Sequence, residues 1–215
     1  EKILDHNLIR DFNRLLIVPD DKLFFINFEE LISPEGNYLL EEKTIRYAYS
    51  ASILEQQKAL TSMDRSNKNI LGLTPGFSSK LKESYINDSK RGAVDSSWLY
   101  FIQQPFLLNL ASNLATIDNS QSLISKDATE SNYKSEAADF KILHLGTHGI
   151  LNDESPLFSK LIFAKDSIED GYLHTYEIYG QTLNADLAVL SACNSGNGKI
   201  VEGEGVLSLS HAFTH

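Results

Sequence analysis

An α/β fold with a mostly parallel central sheet sandwiched between helices in three layers is predicted by two short motifs and the runs that lead into them. His144-Leu-Gly-Thr-His148-Gly149 follows Lys141-Ile-Leu, and Ser191-Ala-Cys193-Asn-Ser-Gly196 follows Leu187-Ala-Val-Leu190. Each motif is a small-residue turn at the end of an aliphatic run. Such a turn marks the carboxyl end of a buried parallel strand, which is where open α/β sheets place their ligands.

The remaining elements follow in chain order. Residues 15–18 read as a buried strand closed by Pro19-Asp20-Asp21, and residues 23–28 as a second strand after that turn. Residues 45–49 form a third. Ser52 and Glu55 have capping-box spacing, and Ile53, Leu60 and Met63 share one helical face, which predicts a helix over 53–63. Residues 70–74 form a strand ended by Pro75-Gly76. From Ser78 to Ser97 the chain is polar with little periodicity and reads as a long surface loop. Pro105 suits the first turn of a helix that carries Leu107, Leu110, Ala111 and Leu114. Asp127-Ala-Thr-Glu130 starts another helix, with Tyr133 and Ala137 at i, i+4, and it feeds a strand over 140–145. A strand over 161–164, a turn at Asp170-Gly171 and a short helix near Tyr176 precede the strand that ends at Cys193. A last helix is expected to begin near Glu204 and to turn Val206, Leu209 and Phe213 toward the core.

Composition limits the function. The 215 residues suffice for one large α/β domain. Nineteen basic against 29 acidic residues give a formal net charge of −10, which repels nucleic-acid phosphates and anionic lipid. Neither nucleic acid nor a membrane is therefore an expected partner. No apolar run approaches the roughly 18 residues of a membrane span, and residues 1–6 carry no signal-peptide pattern. The single cysteine forms no internal disulfide and fits a reducing compartment, so the cytoplasm is expected. The chain starts without methionine and ends in an expected helix, which reads as a fragment of a longer polypeptide.

The two turns offer a histidine and the only cysteine, the equipment of a nucleophilic site. A thiolate is the attacking species, and a cysteine with a pKa of about 8.5 is only a few per cent ionised at neutral pH. His148 is the candidate general acid/base, provided the two strands are neighbours. Gly149 brings its N–H close to a substrate oxygen without a Cβ in the way, so the N–H groups of Gly149 and Cys193 are the candidate oxyanion hole. His144, inside the apolar run, is expected to be a hydrogen-bonded core histidine. A zinc site of His144, His148, Cys193 and Asp153 is the alternative considered for a metal-dependent hydrolase, but no metal and no cofactor is assigned. Gly196-Asn-Gly-Lys199 lacks the full phosphate-loop pattern, and Gly203-Glu-Gly205 lacks the third glycine of a dinucleotide fingerprint.

With these residues in hand, the chain resembles a CHAT domain, a caspase-like and separase-related module often found beside tetratricopeptide repeats. The resemblance is carried by Leu16-Ile-Val-Pro-Asp20, Tyr49-Ser-Ala-Ser52, Leu143-His-Leu-Gly-Thr-His-Gly149, Ser155-Pro-Leu-Phe-Ser159, Leu183-Asn-Ala-Asp-Leu187, Leu190-Ser-Ala-Cys-Asn-Ser-Gly196 and Gly203-Glu-Gly-Val206, in family order. It implies a caspase-hemoglobinase fold, a dyad of His148 and Cys193, and peptide-bond hydrolysis as the reaction.

The resemblance also implies further sheet strands and an acidic, specificity-related segment after residue 215. The fragment alone is then expected to be inactive. More distant relatives carry an acidic residue two places before the cysteine, where this chain has Ser191. Asp153 and Ser191 are the candidate pocket residues. The expected partners are a protein or peptide substrate and an upstream repeat or sensor region of the same polypeptide. The alternative function is an inactive caspase-like interaction or signalling module, since a dyad in sequence does not establish an assembled one.

Overall fold

The computed structural model describes residues 4–52, 54–55, 68–89, 94–192, 198–201 and 205–214. The chain divides into two compact units, Glu1–Leu60 with Ile200–Leu207, and Thr61–Lys199 with Ser208–His215.

In the first unit, strands β1 (Arg14–Ile17) and β2 (Thr44–Tyr47) pair in parallel, Arg14 opposite Thr44 and Ile17 opposite Tyr47. The expected strand over 15–18 is present, but it is not buried: its residues alternate between exposed and half-buried, and Leu16 is largely in solvent. The second expected strand is not formed. Residues Asp21–Phe25 and Phe28–Glu30 are 3-10 turns, because the Asp20 carbonyl accepts the Leu23 N–H at 3.0 Å and tight i→i+3 bonding carries on from there. Phe28 is buried. Of the helix expected over 53–63, Leu54 and Glu55 are helical and the rest lies outside the described residues.

The second unit contains a four-stranded parallel sheet in the order β4-β3-β5-β9, formed by β3 (Lys68–Thr74), β4 (Gln121–Ile124), β5 (Phe140–Gly146) and β9 (Leu187–Ser191). Its two faces are unlike, and the difference follows from the period of two along a strand. Leu71 and Leu73 stand opposite Leu143 and Leu145 on one face, all fully buried, with Tyr133, Ala137 and Phe163 packed on them. Tyr133 belongs to helix α6 (Glu130–Glu136), whose cap is Thr129 and not the expected Asp127: its hydroxyl accepts the Asn132 N–H at 3.2 Å.

The other face presents Gly72, Thr74, His144 and Gly146, small or polar groups that let helix α5 (Pro105–Leu114) approach closely. A Cβ on Gly146 would lie 3.5 Å from Leu107 Cβ and 2.8 Å from Thr74 Oγ1, and one on Gly72 would lie 2.9 Å from Ser122 Oγ. Ser122 itself donates to the Ala111 carbonyl at 2.6 Å. Helix, sheet and helix thus form the three layers.

Within the long surface loop expected over 78–97 lie two helices instead, α3 (Ser79–Asp88) and α4 (Ser96–Leu99), and residues 90–93 lie outside the described residues. Ser78 caps the first by accepting the Leu81 N–H, and Asp95 caps the second by accepting from Ser97 and Trp98. Ser79, Lys80, Glu83, Asn87 and Asp88, among the polar residues that suggested a loop, are the exposed side of α3. Its inner side packs Leu81 and Tyr85 against Phe77 and the fully buried Trp98.

Beyond β5 the chain enters a second, antiparallel sheet of β6 (His148–Ile150), β7 (Lys160–Ile162) and β8 (Tyr172–His174). Strands β4 and β8 were not expected from the sequence. One is a four-residue edge strand that opens with Gln and Ser, and the other has three residues. The short helix near Tyr176 is α7 (Thr175–Tyr179). The helix expected from Glu204 is corrected: Gly205–Ser208 is strand β11, paired with β10 (Gly198–Val201), and the helix α8 is confined to Leu209–Ala212. The expected core-facing residues are borne out in part: Leu209 is fully buried and Phe213 packs against the core, while the side chain of Val206 lies outside the described residues. No helix among the described residues is long and apolar enough to cross a membrane.

Candidate active site

β5 and β9 are adjacent and in parallel register, His144 opposite Val189 and Gly146 opposite Ser191. The expected neighbour relation between the two motif strands therefore holds. Cys193 and the loop that follows it lie outside the described residues. Thr147 bends the chain from one sheet into the other: its N–H donates to the Ser191 carbonyl at 3.3 Å, and its hydroxyl donates to the Ile162 carbonyl. His148 is consequently two residues past the end of β5 and the first of β6, paired with Ile162.

The imidazole of His148 is half-buried and clamped. Phe77 lies 5.0 Å away at 54°, and Phe101 stacks on it at 5.2 Å and 24°. Nε2 is 2.8 Å from the backbone carbonyl of Ile102. A carbonyl accepts only, so the ring donates Nε2–H, and in the neutral ring the basic lone pair is then on Nδ1. The proton-accepting nitrogen is thus defined by a main-chain group.

Phe77 holds its place at a conformational cost. It has φ +48, directly after Gly76 at φ +68, and a positive φ is a genuine outlier for a bulky residue. A Cβ on Gly76 would come within 2.6 Å of the Leu108 side chain, so glycine is required at the bend. Phe77, Phe101 and Ile102 were not singled out in the sequence. Pro75-Gly76 at the end of β3 was the one available signal that the chain turns sharply there.

His144 is buried, as its place in the apolar run predicts. Its Nε2 lies 3.1 Å from Ser191 Oγ, and Nδ1 has no hydrogen-bond partner among the described residues. Burial holds its pKa below the ordinary histidine range. Removing the ring leaves a cavity in the sheet–helix interface and strips Ser191 of a partner. His144→Ala is expected to lower stability by about 1–3 kcal/mol in urea unfolding. An unchanged midpoint would contradict this role.

Of the other expected site residues, Gly149 is half-buried in β6 opposite Leu161, next to His148. Ser191 is half-buried, with its hydroxyl engaged by His144. Asp153 is exposed on the segment that follows β6. Where groups of histidine and acid do come together among the described residues, they are His6 with Glu35 and Glu42, and Glu130 with Glu169 and Glu177. The latter surrounds an ammonium: Lys134 Nζ lies 2.7 Å from Glu130 and 2.8 Å from each of the other two. His144 and His148 each have Nε2 committed elsewhere, to a hydroxyl and to a carbonyl.

The family model of the CHAT domain matches residues 1–215. The chain belongs to the CHAT domain family. No curated protein matches it. The CHAT family is caspase-like and related to peptidases, which agrees with a parallel sheet flanked by helices and with a histidine at a strand exit. In this CHAT domain the main-chain carbonyl of Ile102 orients that histidine, and the segment between β3 and α5 supplies both aromatic rings that hold it.

Proposed function

We propose that this CHAT domain is a cysteine endopeptidase that cleaves protein substrates through His148 and Cys193. The observation that carries the reading is the Nε2–H hydrogen bond from His148 to the Ile102 carbonyl, which leaves Nδ1 as the base. Register supports it: Gly146 stands opposite Ser191, and His148 and Cys193 each follow two residues later in the chain.

In the reaction, Nδ1 takes the proton of Cys193 Sγ and the thiolate attacks the substrate carbonyl carbon. The C–S bond forms as the carbonyl oxygen becomes an oxyanion, which the N–H groups of Gly149 and Cys193 stabilise. The tetrahedral intermediate collapses, the C–N bond breaks, and imidazolium gives its proton to the leaving amine. Water, deprotonated by the same nitrogen, then hydrolyses the thioester and returns the thiol. Asp153 and Ser191 are proposed to border the pocket for the residue before the cut. Regulation by an upstream repeat or sensor region and a reducing, cytoplasmic setting belong to the same proposal.

The experiment is alkylation with iodoacetamide, read by mass spectrometry at the chain's single thiol. The folded protein is expected to label faster at pH 7 than a free cysteine thiol, and His148→Ala is expected to slow it severalfold. Equal rates in the two proteins would remove the dyad. An inactive interaction module would then be the better reading.

A further inference from the structure

The stretch that holds His148 also leaves large apolar side chains in solvent beside it. Tyr100, Ile102 and Phe106 are 83 %, 72 % and 85 % exposed, while Phe101 between them turns inward onto Phe77 and His148. The backbone here is tied down at successive points. Lys82 Nζ donates to the Phe101 carbonyl at 2.6 Å, His148 donates to that of Ile102, and the Gln104 N–H donates to the Gly76 carbonyl at 3.0 Å. Ile102 is thus one residue's reach from the imidazole, and Tyr100 and Phe106 lie within roughly 7 and 14 Å of Ile102 along the chain.

Single exposed apolar residues are ordinary on protein surfaces, but three on one anchored segment, next to a candidate base, form a patch. Charge narrows its meaning. Ser96 to Ile117 contains no Asp, Glu, Lys or Arg, in a chain that has 29 acidic and 19 basic residues. Nothing on this segment selects a charged side chain.

We infer that Tyr100, Ile102 and Phe106 form a substrate-binding lip that takes large apolar side chains just after the scissile bond. The inference rests on the peptidase reading. His148 delivers its proton to the leaving nitrogen, so the residues that follow the cut bond pass beside the imidazole and the segment that holds it. Apolar side chains there are taken from water against Tyr100, Ile102 and Phe106, and charged ones are desolvated without a partner.

The test incubates the full-length protein, with whatever segments flank this domain, with a peptide library prepared by digesting a cell lysate after Lys and Arg, and sequences the new amino termini. Leu, Ile, Phe, Tyr and Met are expected to be enriched at the first two positions of the new termini, with Asp, Glu and Lys depleted. Tyr100→Ser and Phe106→Ser, which keep the Ile102 carbonyl, are expected to reduce that enrichment about tenfold in kcat/KM on a matched peptide pair. Cleavage that needs Cys193 but lacks the enrichment, or keeps it in both variants, overturns the lip and leaves the peptidase reading intact. A dimer that both substitutions dissolve overturns it too, since a second copy is then the occupant. No cleavage at all, or cleavage that persists in Cys193→Ala, overturns the peptidase reading and the lip with it.

Discussion

In the full-length protein, Cys193→Ala is expected to abolish cleavage, with kcat reduced at least about a thousandfold, and His148→Ala is expected to match it within an order of magnitude. The two groups act as a unit: a thiol without its base is mostly protonated at neutral pH, and a base without its thiol has nothing to activate. The double variant should therefore be no worse than either single one. KM should change little, because both groups act chiefly in the transition state. His148→Ala also loses its stacking on Phe101 and its tilted contact with Phe77, which costs about 0.5–1.5 kcal/mol of stability. A melting curve taken beside the kinetics separates the two effects. Cys193→Ala with unaltered turnover and the same product would end the dyad assignment.

The largest stability effect is expected at Lys134, far from that chemistry in kind. Its ammonium is the shared cation of Glu130, Glu169 and Glu177, and the Glu130 side chain is 1 % exposed, with its second oxygen accepting the Gly171 N–H at 3.0 Å. Lys134→Met leaves three carboxylates around an apolar side chain, and breaking a buried pair in this way costs about 3–5 kcal/mol. The low end is expected, since Glu169 and Glu177 reach solvent. Glu130→Gln in the same chain should recover part of the loss.

The sign with pH is definite. Burial raises the Glu130 carboxyl above its ordinary value, so the folded state binds its proton more readily than the unfolded state does. Lys134 holds that pKa down, so in Lys134→Met it rises further and protonation relieves the variant more than the parent; the deficit should narrow as pH falls through the carboxylate range and be largest near neutrality. Urea unfolding at pH 7 and pH 5 measures it; a deficit that widens on acidification would show that the cation matters for another reason.

The centre of the sheet was legible because β3 and β5 present one fully apolar, buried face. Leu71, Leu73, Leu143 and Leu145 could hardly lie anywhere else. His148 was legible for the opposite reason, as a polar residue after a glycine at a strand exit. Less visible was everything whose place depends on distant partners. α3 looked like a loop because only Leu81 and Tyr85 face inward, and their partners Phe77 and Trp98 are supplied by other segments. Ile102 was invisible in principle, since its contribution is a backbone carbonyl that any residue provides. The 3-10 turns at Asp21–Phe25 defeated a strand assignment based on hydrophobicity, because short-range hydrogen bonds from Asp20 outweighed the pattern.

The parallel order β4-β3-β5-β9 has a kinetic consequence. Each neighbour of β5 comes from a remote stretch of chain, so every pairing must wait for the closure of a long loop, and such topologies fold slowly. The groups that orient His148 arrive by the same route: Phe77 leaves β3, Phe101 and Ile102 lead into α5, and His148 itself opens β6. No local piece of the nascent chain contains them all. An imidazole without the Ile102 carbonyl samples both tautomers and has no fixed direction, so the site matures only with the finished sheet. If the peptidase reading holds, a newly made chain would thereby be spared from cutting itself or its neighbours while its own loops are still unprotected.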